Sequence, residues 1–296
     1  MKKVLFILLF CAIGVLAWFL FVRPYDLQVR FTLKTKPGVV RQLVKLWDKN
    51  DEGRKIIAFS PEGIIEQEAV IGEHTYQLRW MVEMINDSVS QVKVQLNEEG
   101  QAITNRMAGL FTNSELERNA EKALKEFHRQ SAAHLKRFRV RVDGIAEYPS
   151  TFCLYVPLKT SQATKAHGMM DNYSLLSTFI TEQGYEIAGV PFLTVKQWDE
   201  AMDIIEYDFC YPIVKPDSLP DHPLIQYQNF EGGKALKATY NGNYISSDRA
   251  WYELLHEAEK RSLATKGEVI EYFYDNPNFG GDDLKWTAEI FMPLAD

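Results

Sequence analysis

Two acidic residues occupy matching places in two similar stretches of the chain. Asp208 opens the run Asp208-Phe209-Cys210-Tyr211-Pro212-Ile213, and Glu289 opens the run Glu289-Ile290-Phe291-Met292-Pro293-Leu294. A carboxylate surrounded by aromatic and aliphatic side chains is costly to ionise unless a cation compensates it. The pattern therefore predicts a pocket that accepts a positively charged group.

Several aromatic residues near Glu289 in the sequence could share this pocket, because the face of an aromatic ring attracts a cation by about 0.5–2 kcal/mol. The candidates are Tyr240, Tyr244, Trp251, Tyr272 and Tyr274. Other interpretations stay open. Glu289 could be a solvated strand residue or could pair with Lys237 or Lys285, and each ring, Trp251 above all, could belong to a hydrophobic core.

The two acidic residues lie in two repeated units, residues 151–213 and 234–294. Each unit is predicted to contain an opening strand, a helix, a Gly-containing turn and two further strand-like runs. The predicted helices cover 171–183 and 247–260, and the second unit has strands at 234–240, 268–274 and 286–294. One such unit cannot bury its apolar sheet face alone, so we expect the two copies to form one domain with a pseudo-two-fold seam.

The region before the repeats has a different order of elements. Residues 27–33 alternate between apolar and polar, a helical spacing follows from Val39 to Trp47, and an antiparallel meander comes next. Residues 103–111 are predicted to form its last strand. Ser114 and Glu117 have the spacing of a capping box and open a long amphipathic helix. The predicted fold class is therefore α+β throughout.

The first region resembles the START-like, or SRPBCC, family that includes polyketide cyclases and lipid-transfer proteins. The resemblance rests on the element order and on Phe31-Thr32-Leu33-Lys34 running into Pro37. It implies a helix-grip fold in residues 25–145 that holds an apolar ligand between the long helix and the sheet. The alternative from the residues themselves is that Trp80, Met84, Met107 and Phe127 simply fill a core.

Residues 146–296 resemble the GyrI-like small-molecule-binding domain, which also serves as the effector-binding half of some transcription regulators. The resemblance rests on Gly242-Asn243-Tyr244 ahead of a helix with Trp251-Tyr252, on the strand Glu271-Tyr272-Phe273-Tyr274, and on the run from Thr287 to Leu294. It implies a ligand cleft at the repeat seam in which Glu289 faces cationic or amphipathic compounds. The first repeat departs from the pattern, because Met169-Met170-Asp171 stands where Gly-x-Tyr is expected.

Residues 4–22 form an uncharged and almost wholly apolar run behind Lys2 and Lys3. Nineteen residues at about 1.5 Å each approach the ~30 Å thickness of a bilayer core. The alternative is a cleaved signal peptide, but apolar sequence continues past the one weak candidate cleavage site, around Ala17. We expect residues 1–24 to be an uncleaved transmembrane anchor. The two lysines favour a cytoplasmic N-terminus and an extracytoplasmic globular part, and Arg23 and Arg30 partly oppose that orientation.

Composition narrows the function classes. The chain has 296 residues and a formal charge of −7, and residues 148–296 carry 11 Lys and Arg against 22 Asp and Glu, which disfavours nucleic-acid partners. No metal-ligand spacing, nucleotide-binding loop or nucleophile elbow is present, so no cofactor is expected. Cys153 and Cys210 lie on predicted strands, and either a bridge or two buried thiols would suit them.

Three functions fit these observations. The first is a membrane-anchored protein that binds amphipathic or cationic small molecules through Glu289, Asp208 and the aromatic residues named above. The second is a hydrolase of reactive small molecules in which Glu289 acts as general base. The third is lipid or hydrophobic-ligand binding by the START-like domain. Binding without catalysis is the preferred interpretation.

Overall fold

The computed structural model describes residues 2–71, 74–111 and 114–295. The chain forms two compact units, Met1–Ala133 and His134–Asp296. The fold is α+β, with two antiparallel sheets and six α-helices in the described part of the chain.

The chain begins with helix α1, Lys2–Ala17, which continues as a π-helical turn, Trp18–Val22. The stretch Lys3–Val22 has a mean hydropathy of 2.9 and none of it is buried within the protein, so its length and composition would allow it to cross a membrane. A buried contact fixes the end of this helix. Arg106 donates to the backbone oxygen of Leu20 and to Oδ1 of Asp26, both over 2.9 Å.

The first unit contains a five-stranded antiparallel sheet with strand order β1-β5-β4-β3-β2. Its elements are β1 Leu27–Leu33, α2 Pro37–Lys49, β2 Arg54–Phe59, β3 Ile65–Ile71, β4 His74–Asn86, β5 Val89–Glu98, α3 Ala102–Phe111 and α4 Glu115–His134. The predicted cap of α4 is confirmed, because the backbone N–H of Glu117 donates to Oγ of Ser114. The strand, short helix, meander and long helix follow the predicted order.

The prediction of a strand at 103–111 is wrong, because these residues form helix α3. The apolar residues Ile103 and Met107 of this segment are one helical turn apart, and Ala, Met and Leu within it favour helix. Asn105 donates its backbone N–H to the oxygen of Gln101, as expected of a first helical turn.

The core of the first unit is filled by large aromatic side chains. The ring of Phe127 on α4 lies 5.0 Å from that of Trp80 on β4 and 5.3 Å from that of Trp47 on α2. The indole N–H of Trp80 donates to Gln67 inside this core. Met107, by contrast, is 47% exposed and takes no part in it.

The second unit contains an eight-stranded antiparallel sheet with strand order β10-β7-β9-β8-β12-β13-β11-β6. Its elements are β6 Phe138–Tyr148, β7 Thr151–Thr160, α5 Lys165–Gln183, β8 Phe192–Asp199, β9 Ile204–Pro212, β10 Gln226–Phe230, β11 Gly233–Gly242, α6 Arg249–Lys260, β12 Val269–Phe273 and β13 Thr287–Pro293. The order β-α-β-β occurs twice, as β7-α5-β8-β9 and as β11-α6-β12-β13. The two halves meet where β8 pairs with β12.

Helix α5 begins at Lys165, six residues earlier than predicted. Ser161 and Thr164 form a reciprocal capping arrangement, and a 3-10 turn at Gln162–Thr164 leads into the helix. Met169-Met170-Asp171 therefore lies within the helix and not ahead of it. Glycine suits position 168 of this helix because a Cβ atom there would clash with the hydroxyl of Tyr207.

The eight-stranded sheet curls so that its two edges approach each other at one end. Strands β10 and β11 lie near opposite edges, yet only Glu231 and Gly232 connect them. A Cβ atom at Gly232 would lie 2.5 Å from the backbone oxygen of Tyr148 and 2.6 Å from the backbone nitrogen of Ser150. Glycine at this position therefore allows the β10–β11 connection to pass close to the β6–β7 connection.

The sheet of the second unit has a core on each face. On the helix-side face, α5 and α6 pack against strand residues such as Phe209, Leu236 and Phe273. We call the other face, which lies away from α5 and α6, the sheet-side face. It carries five aromatic residues whose neighbouring rings lie 4.9–6.0 Å apart: Tyr148, Phe230, Phe192, Tyr272 and Phe291. Because strand side chains alternate, neighbouring residues on β12 and β13 belong to different faces.

Candidate ligand-binding cavities

A cavity of about 550 Å³ opens on the helix-side face of the second unit. We call it the aromatic cavity, because its walls include the side chains of Tyr173, Phe209, Tyr211, Tyr244, Phe273, Tyr274 and Trp286. Met169 and Met170 on α5 complete one wall. The cavity falls within the range of about 300–1,000 Å³ that is typical of small-molecule sites.

Several rings in the walls of the aromatic cavity contact one another. The ring of Tyr244 lies 4.8 Å from that of Phe273 and 5.8 Å from that of Trp286. The ring of Tyr211, which also lines the cavity, lies 6.2 Å from that of Tyr173. Burial raises the pKa of Tyr211 and of Tyr244, so both phenols stay neutral over the physiological pH range.

Polar groups gather where the chain leaves β12. The hydroxyl of Tyr244 donates to the backbone oxygen of Thr287 over 2.7 Å, and Oδ2 of Asp275 accepts from the backbone N–H of Thr287 over 2.7 Å. Asn276 donates to the hydroxyl of Tyr173 over 3.1 Å. Among the described residues that line the aromatic cavity, Asp275 carries the one charged side chain.

Two residues that are close in sequence to wall residues of this cavity form a fully buried ion pair. Nζ of Lys165, next to the wall residue Ala166, lies 2.6 Å from each carboxylate oxygen of Glu271, two residues before Phe273. Trp251 donates its indole N–H to Glu271 over 2.5 Å, and Ser247 contacts both charged groups. The pair joins the start of α5 to β12 and the start of α6, and so holds both helices against the sheet.

A second cavity of about 430 Å³ opens on the other face of the sheet, and we call it the sheet-side cavity. Oε1 of Glu289 lies 2.6 Å from Nζ of Lys237, and Oε2 accepts from the hydroxyl of Tyr274 over 2.9 Å. Tyr272 and Phe291 also line this cavity. Burial, together with Glu289, raises the pKa of Tyr274 to about 12.

The structure does not bring the seven predicted ligand-binding residues into one cleft. Glu289 and Tyr272 line the sheet-side cavity, Tyr244 lines the aromatic cavity, and Tyr274 lines both. The remaining three are not among the residues that line either cavity. Tyr240 and Trp251 are fully buried in the helix-side core, and Asp208 is buried on the sheet-side face, where it pairs with Lys196 and where burial raises its pKa.

The physical reason for this separation is strand alternation. Glu289 pairs across the sheet with Thr239 and Tyr272, whereas the next residue, Ala288, pairs with Tyr240 and Phe273. Glu289 therefore faces away from Tyr240 and the helices. Its pairing with Lys237 is one of the alternatives that the sequence left open.

Sequence reasoning missed Glu271 and Lys165 as a pair. A signal for Glu271 was present, since it is the one charged residue in the otherwise apolar and aromatic strand Val269–Phe273. A buried charge of this kind requires a partner. The partner lies 106 positions away in the chain, and no local pattern identifies it.

Comparisons with known proteins give structural likenesses only. No family model matches the chain, and no curated protein matches it. The C-terminal domain of EcmrR is 15% identical, with a TM-score of 0.44, and the match covers 54% of this chain and 98% of that domain. SAV2435 bound to tetraphenylphosphonium is 13% identical, with a TM-score of 0.36, and the match covers 52% of this chain and 94% of that one. A hydrolase from Listeria innocua is 13% identical, with a TM-score of 0.36, over 60% of this chain and 98% of that one.

Proposed function

We propose that residues 146–296 form a GyrI-like domain that binds small amphipathic or cationic molecules in the aromatic cavity. The observation that carries the proposal is a cavity of about 550 Å³ with seven aromatic side chains in its walls and one carboxylate, that of Asp275, among its lining residues. Such a wall offers apolar contact to the body of a ligand and π faces to a positive charge.

The charges of the site suit a ligand with a delocalised or partly shielded cation. Glu271 is already neutralised by Lys165, and Glu289 by Lys237, so neither carboxylate requires a ligand cation. Asp275 is exposed and hydrogen-bonded to Thr287, which limits its contribution to binding. We therefore attribute most of the affinity to ring contacts and apolar burial, with the cation as a secondary contribution.

The proposal includes attachment to a membrane through the N-terminal helix and a START-like fold for the first unit. The length and hydropathy of Lys3–Val22 support the anchor, and the order of strands and helices supports the START-like assignment. Lys2 and Lys3 support a cytoplasmic N-terminus with both units on the extracytoplasmic side.

The two alternative functions, lipid binding by the first unit and hydrolysis with Glu289 as general base, are less well supported by the described residues. The rings of Trp47, Trp80 and Phe127 fill the space in which a START-like domain would hold a lipid. For the hydrolase, the two oxygens of Glu289 already accept from Lys237 and from Tyr274, and no contact among the described residues favours Glu289 as a general base.

The proposal is tested by filling the aromatic cavity. Met170 lines it and is 54% exposed, so Met170→Trp narrows the cavity without removing a core residue. Met202 is 69% exposed and is not among the residues that line the cavity, so Met202→Trp is the matched control. Full-length protein in lipid nanodiscs, with empty nanodiscs as blank, is titrated with tetraphenylphosphonium, a neutral aromatic amphiphile and a fatty acid.

The parent and Met202→Trp should bind at least one probe saturably, and a ligand at about 100 times its Kd should add about 2.7 kcal/mol to the free energy of unfolding. Met170→Trp should weaken that binding about tenfold or more. Asp275→Asn keeps the acceptor oxygen and removes the charge, so it should weaken only the cationic probe. Equal binding by both Trp variants would contradict the proposal.

A further inference from the structure

The sheet-side cavity contains polar groups that the proposed function does not use. The side chains of Lys237 and Glu289 are 22% and 27% exposed, so their ion pair can still be reached by solvent and by a ligand. Tyr272 also lines the cavity, and its buried hydroxyl has no hydrogen-bond partner among the residues that the structure describes. A buried hydroxyl without a partner is unfavourable, and a bound ligand could supply one.

The walls of this cavity are apolar close to the charges. The ring of Phe291 lies 5.4 Å from Nζ of Lys237, and the rings of Tyr272 and Phe291 are 5.7 Å apart. Val190 contributes an aliphatic surface between the two cavities, since it lines both. A ligand would therefore meet an ion pair and an apolar wall at the same time.

Glu147 also lines the cavity, but it is exposed, so solvent screens its charge. The opposite charges of the ion pair therefore decide which ligand class the cavity suits. A simple amine would compete with Lys237 for Glu289, and a simple carboxylate would compete with Glu289 for Lys237, so either would leave one protein charge without its partner. A molecule with both charges could place its carboxylate beside Lys237 and its ammonium beside Glu289. Both protein charges would then remain paired.

We propose that the sheet-side cavity is a second ligand site, which binds a small zwitterion bearing an ammonium group, a carboxylate and an apolar side chain, such as an apolar α-amino acid. The carboxylate contacts Lys237 and accepts from the hydroxyl of Tyr272, which otherwise has no partner among the described residues. The ammonium contacts Glu289, and the side chain lies on the rings of Tyr272 and Phe291. The cavity volume of about 430 Å³ accommodates a molecule of this size. The site is distinct from the aromatic cavity, although Gly189, Val190 and Tyr274 line both.

The test uses L-phenylalanine as the probe and two analogues that each lack one charge, phenethylamine and 3-phenylpropionate. Binding to full-length protein in nanodiscs is measured by saturation-transfer NMR with empty nanodiscs subtracted. L-Phenylalanine should bind saturably, and both analogues should bind at least about tenfold more weakly, which corresponds to about 1.4 kcal/mol. Equal or tighter binding of either analogue would overturn the proposal.

Two variants assign the binding to this cavity. Lys237→Met should weaken L-phenylalanine binding about tenfold or more, whereas Lys159→Met, which removes the more exposed ion pair with Glu206 on the same sheet, should leave it unchanged. Tyr272→Phe removes a hydroxyl that has no partner, so the fold should be retained while L-phenylalanine binding weakens. Unchanged binding in both Lys237→Met and Tyr272→Phe would sink the proposal.

Zwitterion binding in the sheet-side cavity can be tested separately from ligand binding in the aromatic cavity. Met170→Trp should block the aromatic cavity and leave L-phenylalanine binding intact, and Lys237→Met should leave binding of tetraphenylphosphonium intact. If Met170→Trp abolished L-phenylalanine binding and Lys237→Met did not, the zwitterion would occupy the aromatic cavity and the second site would be refuted.

Discussion

Nζ of Lys165 lies 2.6 Å from both carboxylate oxygens of Glu271, and neither side chain is reached by solvent. Ser247 and Trp251 complete the hydrogen bonds of the pair. The pair connects the helix that carries Met169 and Met170 to the strand that carries Phe273. The pair thus adds a buried polar contact between two walls of the aromatic cavity to the hydrophobic packing of α5 against the sheet.

Removing one partner of this pair should be strongly destabilising. Lys165→Met leaves Glu271 buried and uncompensated, and we expect a loss of about 3–5 kcal/mol in the free energy of unfolding. Lys159→Met breaks an ion pair whose side chains are 63% and 42% exposed, so it should cost about 1 kcal/mol or less. Urea denaturation, with hydrogen exchange of β12 to locate the change, measures both. A small loss in Lys165→Met would mean that water or another group compensates Glu271.

Gly232→Ala should be poorly tolerated. The new Cβ would lie 2.5 Å from the oxygen of Tyr148 and 2.6 Å from the nitrogen of Ser150, and backbone atoms cannot move aside as a flexible side chain could. Overpacking of this kind costs about 1–3 kcal/mol. Gly189→Ala is the control, because its Cβ would meet only side-chain atoms of Pro212 at 3.5 Å or more. Thermal denaturation should give a lower Tm for Gly232→Ala than for Gly189→Ala. Equal Tm values would contradict the close approach of the β10–β11 and β6–β7 connections.

His134 should make stability depend on pH under mildly acidic conditions. Burial, with a smaller contribution from Arg249 and Arg137 that Asp248 opposes, lowers the pKa of His134 to about 4 from an ordinary 6.5. The unfolded chain therefore takes up a proton that the folded chain resists. The contribution of His134 is complete above pH 6.5 and is lost as the pH falls from 6.5 to about 4, by on the order of 3 kcal/mol.

The variant His134→Gln tests this pH dependence. It should flatten the curve of unfolding free energy against pH between pH 6.5 and 4. His167 is exposed on α5, and His167→Gln should keep the slope of the parent protein. An unchanged slope in His134→Gln would assign the pH dependence to other groups.

The thiols of Cys153 and Cys210 should be present but unreactive in the folded protein. Both are free and fully buried on the sheet-side face, and burial raises the pKa of Cys210. Thiolate is the reactive form, so a water-soluble thiol reagent should modify neither residue before unfolding. In denaturant without reductant, three thiols should titrate, counting Cys11. A count of one would instead indicate a bridge between Cys153 and Cys210.

The elements that local patterns define were predictable from the sequence. Tyr76, Leu78 and Trp80 alternate on β4 as predicted, and Ser114 caps α4 as its spacing with Glu117 indicates. Residues 103–111 were mistaken for a strand because a short apolar segment has no unambiguous period. Met169 and Met170 were placed outside α5 because the early start of the helix depends on the capping contacts of Ser161 and Thr164.

The candidate sites were less predictable because they depend on which face of the sheet a side chain occupies. Glu289 and Glu271 both lie on apolar strands of the second repeat, and only the pairing of β12 with β13 assigns them to different faces. The partners of the two carboxylates, Lys237 and Lys165, lie 52 and 106 positions away. Contacts over such distances follow from the whole sheet and not from any short stretch of sequence.

Photoaffinity labelling tests the central claim most directly. A diazirine derivative of the probe that binds most tightly is cross-linked to full-length protein in nanodiscs, and the labelled residues are identified by mass spectrometry. We predict saturable labelling on α5 near Met169 and Met170 and on the stretch from Phe273 to Trp286, competed by the unmodified probe. Saturable labelling confined to residues 27–134, or the absence of any competed labelling, would contradict the assignment of small-molecule binding to the aromatic cavity.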